Sequence, residues 1–234
     1  MTHERNPGRV AGLLYLSLVV LGPIRLIYIP NRLLTTENPA IIAQNLAAHA
    51  LLFRIGIASE IVLAVVGVIL TLAFYRLFEG VSRFAAALVV LAGGAVPAVI
   101  DFFIAAFDLQ ALEISRGAEF LAAIDKTHQD ALVGLLISLG NHSNTAAELL
   151  WGAWLFPLGY LVYKSRFLPR FIGVWLFLNG GAYVALCFTG IFAPPYQTRV
   201  FNWSTPFTLA EIVLMLWLVI RGARPPVMAS AAAH

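Results

Sequence analysis

Six apolar stretches organise the chain, at residues 10–29, 55–75, 84–107, 142–163, 171–192 and 205–220. A helix rising about 1.5 Å per residue needs about 17–25 apolar residues to cross the hydrocarbon core, so each stretch predicts one spanning helix. Strands of a membrane barrel would alternate apolar and polar positions, whereas residues 61–72 are apolar on every face. The predicted fold is all-α: a polytopic transmembrane bundle of six helices, forming one domain over residues 1–222. Residues 223–234, small and proline-flanked, read as a disordered cytoplasmic tail.

The connections between the spans are unequal. Two are short, at 76–83 and 164–170, and three are long, at 30–54, 108–141 and 193–204. In the first long one, Asn38 as N-cap and Pro39 at the first helical position open an amphipathic helix with Ile42, Leu46 and Ala50 on one side. In the second, residues 119–139 read as another helix, broken at Gly140 and Asn141. Such outer-side helices either lie in the headgroup plane or close over the bundle.

Charge at the helix ends sets the orientation. With the N-terminus inside, Arg5, Arg9, Arg76, Arg83, Lys164, Arg166, Arg170, Arg221 and Arg224 are cytoplasmic, and Arg32, Arg116, Lys126 and Arg199 lie outside. Nine against four favours cytoplasmic N- and C-termini. The first stretch has a basic leader, but residues 22–25 offer no small-x-small cleavage site, so it reads as a retained span.

Composition supports this class. The chain is 60% hydrophobic and 12% charged, with a mean hydropathy of +0.85, which fits an integral membrane protein and no ordinary soluble domain. The single Cys187 excludes an intrachain disulfide or a multi-thiolate metal centre. A pI near 9.2 and a net charge of +3 do not point to nucleic acid, because the basic residues sit at span ends, where membrane lipid headgroups are the partner.

Against this apolar background the buried acids stand out. Glu60, Glu148 and Glu211 each follow a small residue and precede two aliphatic ones inside a span. A carboxylate there costs about 2.5–3.5 kcal/mol on insertion scales, so the default reading is a functional or paired site. Arg9, Arg83 and Arg170 each open a helix whose successor carries one of these glutamates, a weak repeat that reads as three related helical hairpins. Glu60 and Glu148 each lie sixteen residues before a basic cytoplasmic end, about 24 Å above it, and Glu211 only ten. Glu60 shares a helical stripe with Ala64, Gly67 and Thr71, which turns it towards protein. Glu148 shares a face with Asn141, Asn144 and Gly152.

Further polar groups fall in the same outer half. Asp101 sits one turn after Pro97, which predicts a kink across residues 93–97 just below it. Arg25 and Arg54 are the natural counter-charges, His142 heads the fourth span, and Asn179 and Tyr183 form an i, i+4 pair in the fifth. Taken singly, the arginines can snorkel and Asn179 can be an interhelical hydrogen bond. Together the residues read as a ligand pocket.

Several chemistries lack a handle. No His-x-x-x-His or Glu-x-x-His spacing supports a metal, no Gly-x-Ser-x-Gly supports a serine nucleophile, and no glycine loop suits phosphate, so neither a metal nor a cofactor is expected. Asp125 and His128 have i, i+3 spacing, which reads as a solvated helix face. The tryptophans, Trp151 and Trp154 included, read as interfacial anchors and bundle filling.

Four clusters carry a resemblance: Arg9 with Gly12 and Tyr15; Leu52 with Arg54 and Gly56; Pro157 and Gly159 with Ser165, Leu168, Pro169, Arg170 and Gly173; and Glu211 with Trp217 and Gly222. With these the chain resembles a bacterial family of six-helix membrane proteins known only as a domain of unknown function. The resemblance implies a multi-pass protein of the bacterial cytoplasmic membrane and carries no activity or catalytic residue.

The leading functional reading is binding, for transport or sensing, of a small cationic or amphiphilic ligand in an outward-opening cavity. Glu60, Asp101, Glu148 and Glu211 would build it, with Arg25, Arg54, Asn144, His142, Asn179 and Tyr183 beside them. Two alternatives stay open: a membrane-embedded enzyme acting on a lipid or isoprenoid by carboxyl acid/base catalysis, and a structural or partner-binding membrane protein.

Overall fold

The computed structural model describes residues 6–224. The expected tail beyond Arg224, and Arg5 in the charge count, lie outside the described residues. Among the described residues, six helices are long and apolar enough to cross a membrane: α1 (Pro7–Leu33), α3 (Ala50–Phe78), α4 (Arg83–Ser115), α5 (Lys126–Ser165), α6 (Arg170–Phe192) and α7 (Pro194–Ile220). A shorter helix, α2 (Pro39–Ala48), joins α1 to α3. The protein is an all-helical integral membrane protein.

Most helices outrun the apolar stretches that announce them, because backbone hydrogen bonding continues wherever neighbouring helices supply packing. The largest difference is in α5. Residues 119–139 do not form a separate helix: Glu119–Leu121 make one tight turn, Asp125 caps the amide of His128, and Lys126–Ala153 run unbroken through Gly140 and Asn141. Gly140 fits because it lies against Ile104 and Asp108 of α4, so packing keeps the helix intact there. The interruption falls instead at Trp154, where Leu155–Ser165 begins.

The spans form a closed ring in chain order, α1 beside α3, then α4, α5, α6 and α7, which returns to α1. Asn6 fastens the closure. Its Oδ1 accepts the Arg9 amide as the N-cap of α1 and also the Ala223 amide beyond α7, while the Gly8 amide donates to the Ala223 carbonyl. Between α5 and α6 the backbones nearly touch at two levels: Gly152 faces Gly180 and Gly159 faces Gly173, the close approach that small residues permit in membranes.

Two apolar cores fill the ring. One, towards the end that holds both described termini, includes Phe74, Phe78, Leu155, Leu158, Leu161, Ile172, Leu214 and Leu218. The other contains Ile29, Leu33, Phe53, Leu112 and Val133 together with Ile42, Ala43 and Leu46 of α2. Helix α2 thus packs against α4 and α5 as a cap, with Asn38 holding the Ala40 amide at its start. Large apolar side chains such as Leu13, Val65, Leu72, Val99, Phe103 and Leu178 face outwards, as lipid contact requires.

Candidate functional site

The same backbone device occurs twice beside the polar centre. Residues Ile24–Tyr28 form a π turn two residues before Pro30, and Leu91–Ala95 form another two residues before Pro97. A proline lacks the N–H for the carbonyl four residues back and crowds it, and the wider turn absorbs the conflict. The expected irregularity at Gly93–Pro97 is therefore present, with a twin in α1. The first π turn carries Arg25; the second brings Gly93 against the Trp154 ring and Gly94 against Thr71.

Arg25 is buried and binds two acids. Its Nε stands 2.6 Å from Oε2 of Glu60 and its Nη2 donates to Oδ2 of Asp108 at 2.7 Å, with side chains only 5–7% exposed. Three helices, α1, α3 and α4, meet in this cluster. Hydropathy falls after Phe107, which places Asp108 in the connection from sequence; in the structure α4 continues to Ser115 and buries it. Arg54 differs from Arg25: it is exposed and joins no ion pair among the described residues.

A cavity of about 280 Å³ lies inside the ring, and all six spans line it. Tyr15 comes from α1, Glu60 from α3, Asp101 from α4, Asn144, Trp151 and Trp154 from α5, Tyr183 from α6 and Glu211 from α7. Three of the predicted acids thus share one space. Glu211 is held by neutral donors: the Tyr15 hydroxyl donates to Oε2, and Asn179 Nδ2 donates to Oε1 at 2.8 Å, with Tyr183 close to the same carboxyl. Asn179 is fully buried and Tyr183 lies one turn further along α6, so their i, i+4 spacing aims both at α7.

Other candidates sit apart from the cavity wall. Glu148 is half-buried next to Tyr183 and Cys187, and its Oε2 has no hydrogen-bond partner among the described residues. His142 is exposed, with Nδ1 2.7 Å from the Ser138 carbonyl of its own helix. Asp125 and His128 pair on the surface, where the His128 amide and ring hold the Asp125 carboxyl below its ordinary pKa. No three His, Cys, Asp or Glu among the described residues stand together as a metal site.

Sequence reasoning did not find the aromatic wall. Tyr15 lies edge-on to Phe74 and 6.2 Å from Trp154, and Trp151 meets Tyr183 at 6.1 Å between ring centroids. Asn144 and Trp151 are seven residues apart on one helical face, the signal that could have placed Trp151 beside a polar residue of the interior.

The chain belongs to the family described as Domain of unknown function (DUF4386), whose pattern matches residues 10–222. It is also similar to an uncharacterized protein of Archaeoglobus fulgidus, 28% identical over 114 residues, which is 47% of this chain and 61% of that protein. The match thus spans less than two thirds of the relative's length. No solved structure matches.

Proposed function

We propose that the protein binds a small cationic or amphiphilic ligand, for transport or sensing, in the cavity lined by its six spans. One observation carries this reading: Glu60, Asp101 and Glu211 line a single space, and Arg25 is already engaged by Glu60 and Asp108. Carboxyl groups therefore outnumber the neighbouring guanidinium. In a low-dielectric interior an excess of one sign favours entry of the opposite charge. The apolar part of the wall, including Leu18, Leu26 and Leu63, would accept the body of an amphiphile.

We place the protein in the bacterial cytoplasmic membrane with both termini inside, on the distribution of Lys and Arg. The cap helix α2 and the Arg25 cluster then lie towards the outside. The test is thermal stabilisation of the purified protein by small organic and inorganic cations against neutral isosteres. Stabilisation by cations, lost in Asp101→Asn, supports the reading. Equal stabilisation by neutral compounds, or a response to anions alone, overturns it.

A further inference from the structure

The carboxylates of the cavity are not equivalent. Glu60 has Arg25 as a counter-charge, whereas Glu211 and Asp101 pair with no Lys, Arg or His among the described residues, and of these two it is Glu211 that the aromatic side chains hold. Its partners Tyr15 and Asn179 are neutral donors, one on each carboxyl oxygen. Such donors orient the carboxyl group but bring no counter-charge to it. With Tyr183 as a third neighbour, the two oxygens still have room for a further donor.

What surrounds Glu211 is aromatic. Tyr15 and Trp154 form one tilted pair, Trp151 and Tyr183 an edge-on pair, and all four rings line the same cavity. Aromatic faces attract a cation and tolerate the carbon atoms attached to it. A hard inorganic ion, by contrast, needs about six oxygen ligands, and no carboxyl group beside Glu211 supplies a set among the described residues.

We propose that Glu211 with Tyr15, Trp151, Trp154 and Tyr183 forms an ammonium subsite, so that the ligand is an organic amine bound in its protonated form. The proposal rests on the cation-binding reading and narrows it to one class and one anchoring carboxylate. Glu211 supplies the counter-charge and accepts an ammonium N–H. The rings cover the adjoining carbons, and Asn179 and Tyr15 hold the carboxylate in place. Arg25 with Glu60 and Asp108 then ties the helices together and does not contact the ligand's charge.

The test uses the full chain in detergent and three probes: benzylamine, protonated at neutral pH; benzyl alcohol, its neutral counterpart; and potassium chloride. Quenching of tryptophan fluorescence and thermal shift report binding. Benzylamine should bind, benzyl alcohol should not compete, Glu211→Gln should weaken benzylamine about ten- to hundredfold, and Trp151→Leu should weaken it roughly fivefold. If Glu211→Gln does not fold, Trp151→Leu and the alcohol competition still decide. Benzylamine binding that survives Glu211→Gln but fails in Asp101→Asn would overturn this assignment and leave the cation cavity standing. Binding of potassium without benzylamine would do the same to the ligand class. Binding of none of the cations would remove both proposals.

Discussion

Arg25 and Asp108, 83 positions apart in the chain, meet at 2.7 Å in the interior, where Arg25 also touches Glu60. Removing one partner from a buried charge cluster strands the others, which costs about 3–5 kcal/mol. Arg25→Met should therefore lower the thermal unfolding temperature in detergent strongly. Arg54→Met, at an exposed position with no acid partner among the described residues, should change stability by less than about 0.5 kcal/mol. Comparable losses from both would detach Arg25 from its special role.

Orientation can be read with one introduced thiol. Gly80 is exposed, and a side chain there meets nothing within 4 Å, so Gly80→Cys in a Cys187→Ala background should fold. With both termini cytoplasmic, a membrane-impermeant maleimide should label Gly80→Cys only after the cells are opened. Glu119→Cys, in the connection before α5, should label from outside. The reverse pattern would invert the membrane and turn the cap helix α2 to the cytoplasm.

Close packing of α5 on α6 makes a third expectation. A Cβ on Gly159 would stand 2.8 Å from the Gly173 carbonyl oxygen, and one on Gly152 would stand 2.7 Å from that of Gly180. Gly159→Ala should destabilise by about 1–3 kcal/mol, the usual cost of overpacking. Gly181→Ala, in α6 next to Gly180, meets open space and should be neutral or up to about 1 kcal/mol stabilising. Thermal unfolding of the two variants separates contact from propensity.

Asp125 gives a pH dependence with a defined sign. The His128 backbone amide and ring hold its folded-state pKa below the ordinary value. The capping stability is therefore present above the unfolded pKa and fades as the pH falls through the folded one. The hydrogen-exchange protection of the His128 amide, measured relative to its intrinsic rate at each pH, should fall on acidification in the native chain. In Asp125→Asn, an equally good N-cap without a titrating group, that loss of protection should vanish.

The six spans, the cap helix and the irregularity before Pro97 were legible because length, capping residues and proline act locally. Pairing was only half legible. Arg25 and Glu60 each looked costly in a membrane and needed a partner, but Asp108 lay beyond the apolar stretch that marked the end of its helix, so hydropathy hid it. Trp151 and Trp154 were missed for a different reason. Both lie at the middle of the 142–163 stretch, where a tryptophan has the same composition signal whether it fills the bundle or lines a cavity, and only helical phase separates the two. Glu148 shows the limit of depth arguments: it matches Glu60 in distance from a basic end, yet it is not part of the cavity wall that Glu60 shares.

The π turn in α4 yields the last expectation. Gly93 lies so close to Trp154 that a Cβ would stand 2.6 Å from the indole ring, and Trp154 is itself only 8% exposed. Gly93→Ala cannot be absorbed by rotating a flexible chain end, since the obstacle is a flat ring fixed against Tyr15 and Phe74. The ring must shift, and with it the wall that joins Tyr15 to Glu211. Tryptophan emission should therefore move in Gly93→Ala while the helical content stays the same, and any cation binding in the cavity should weaken. Pro97→Ala restores the missing N–H and removes the need for the wide turn, so it should draw Gly93 into a regular helix and disturb Trp154 in a similar way. Unchanged emission in both variants would mean that the turn does not position the aromatic wall.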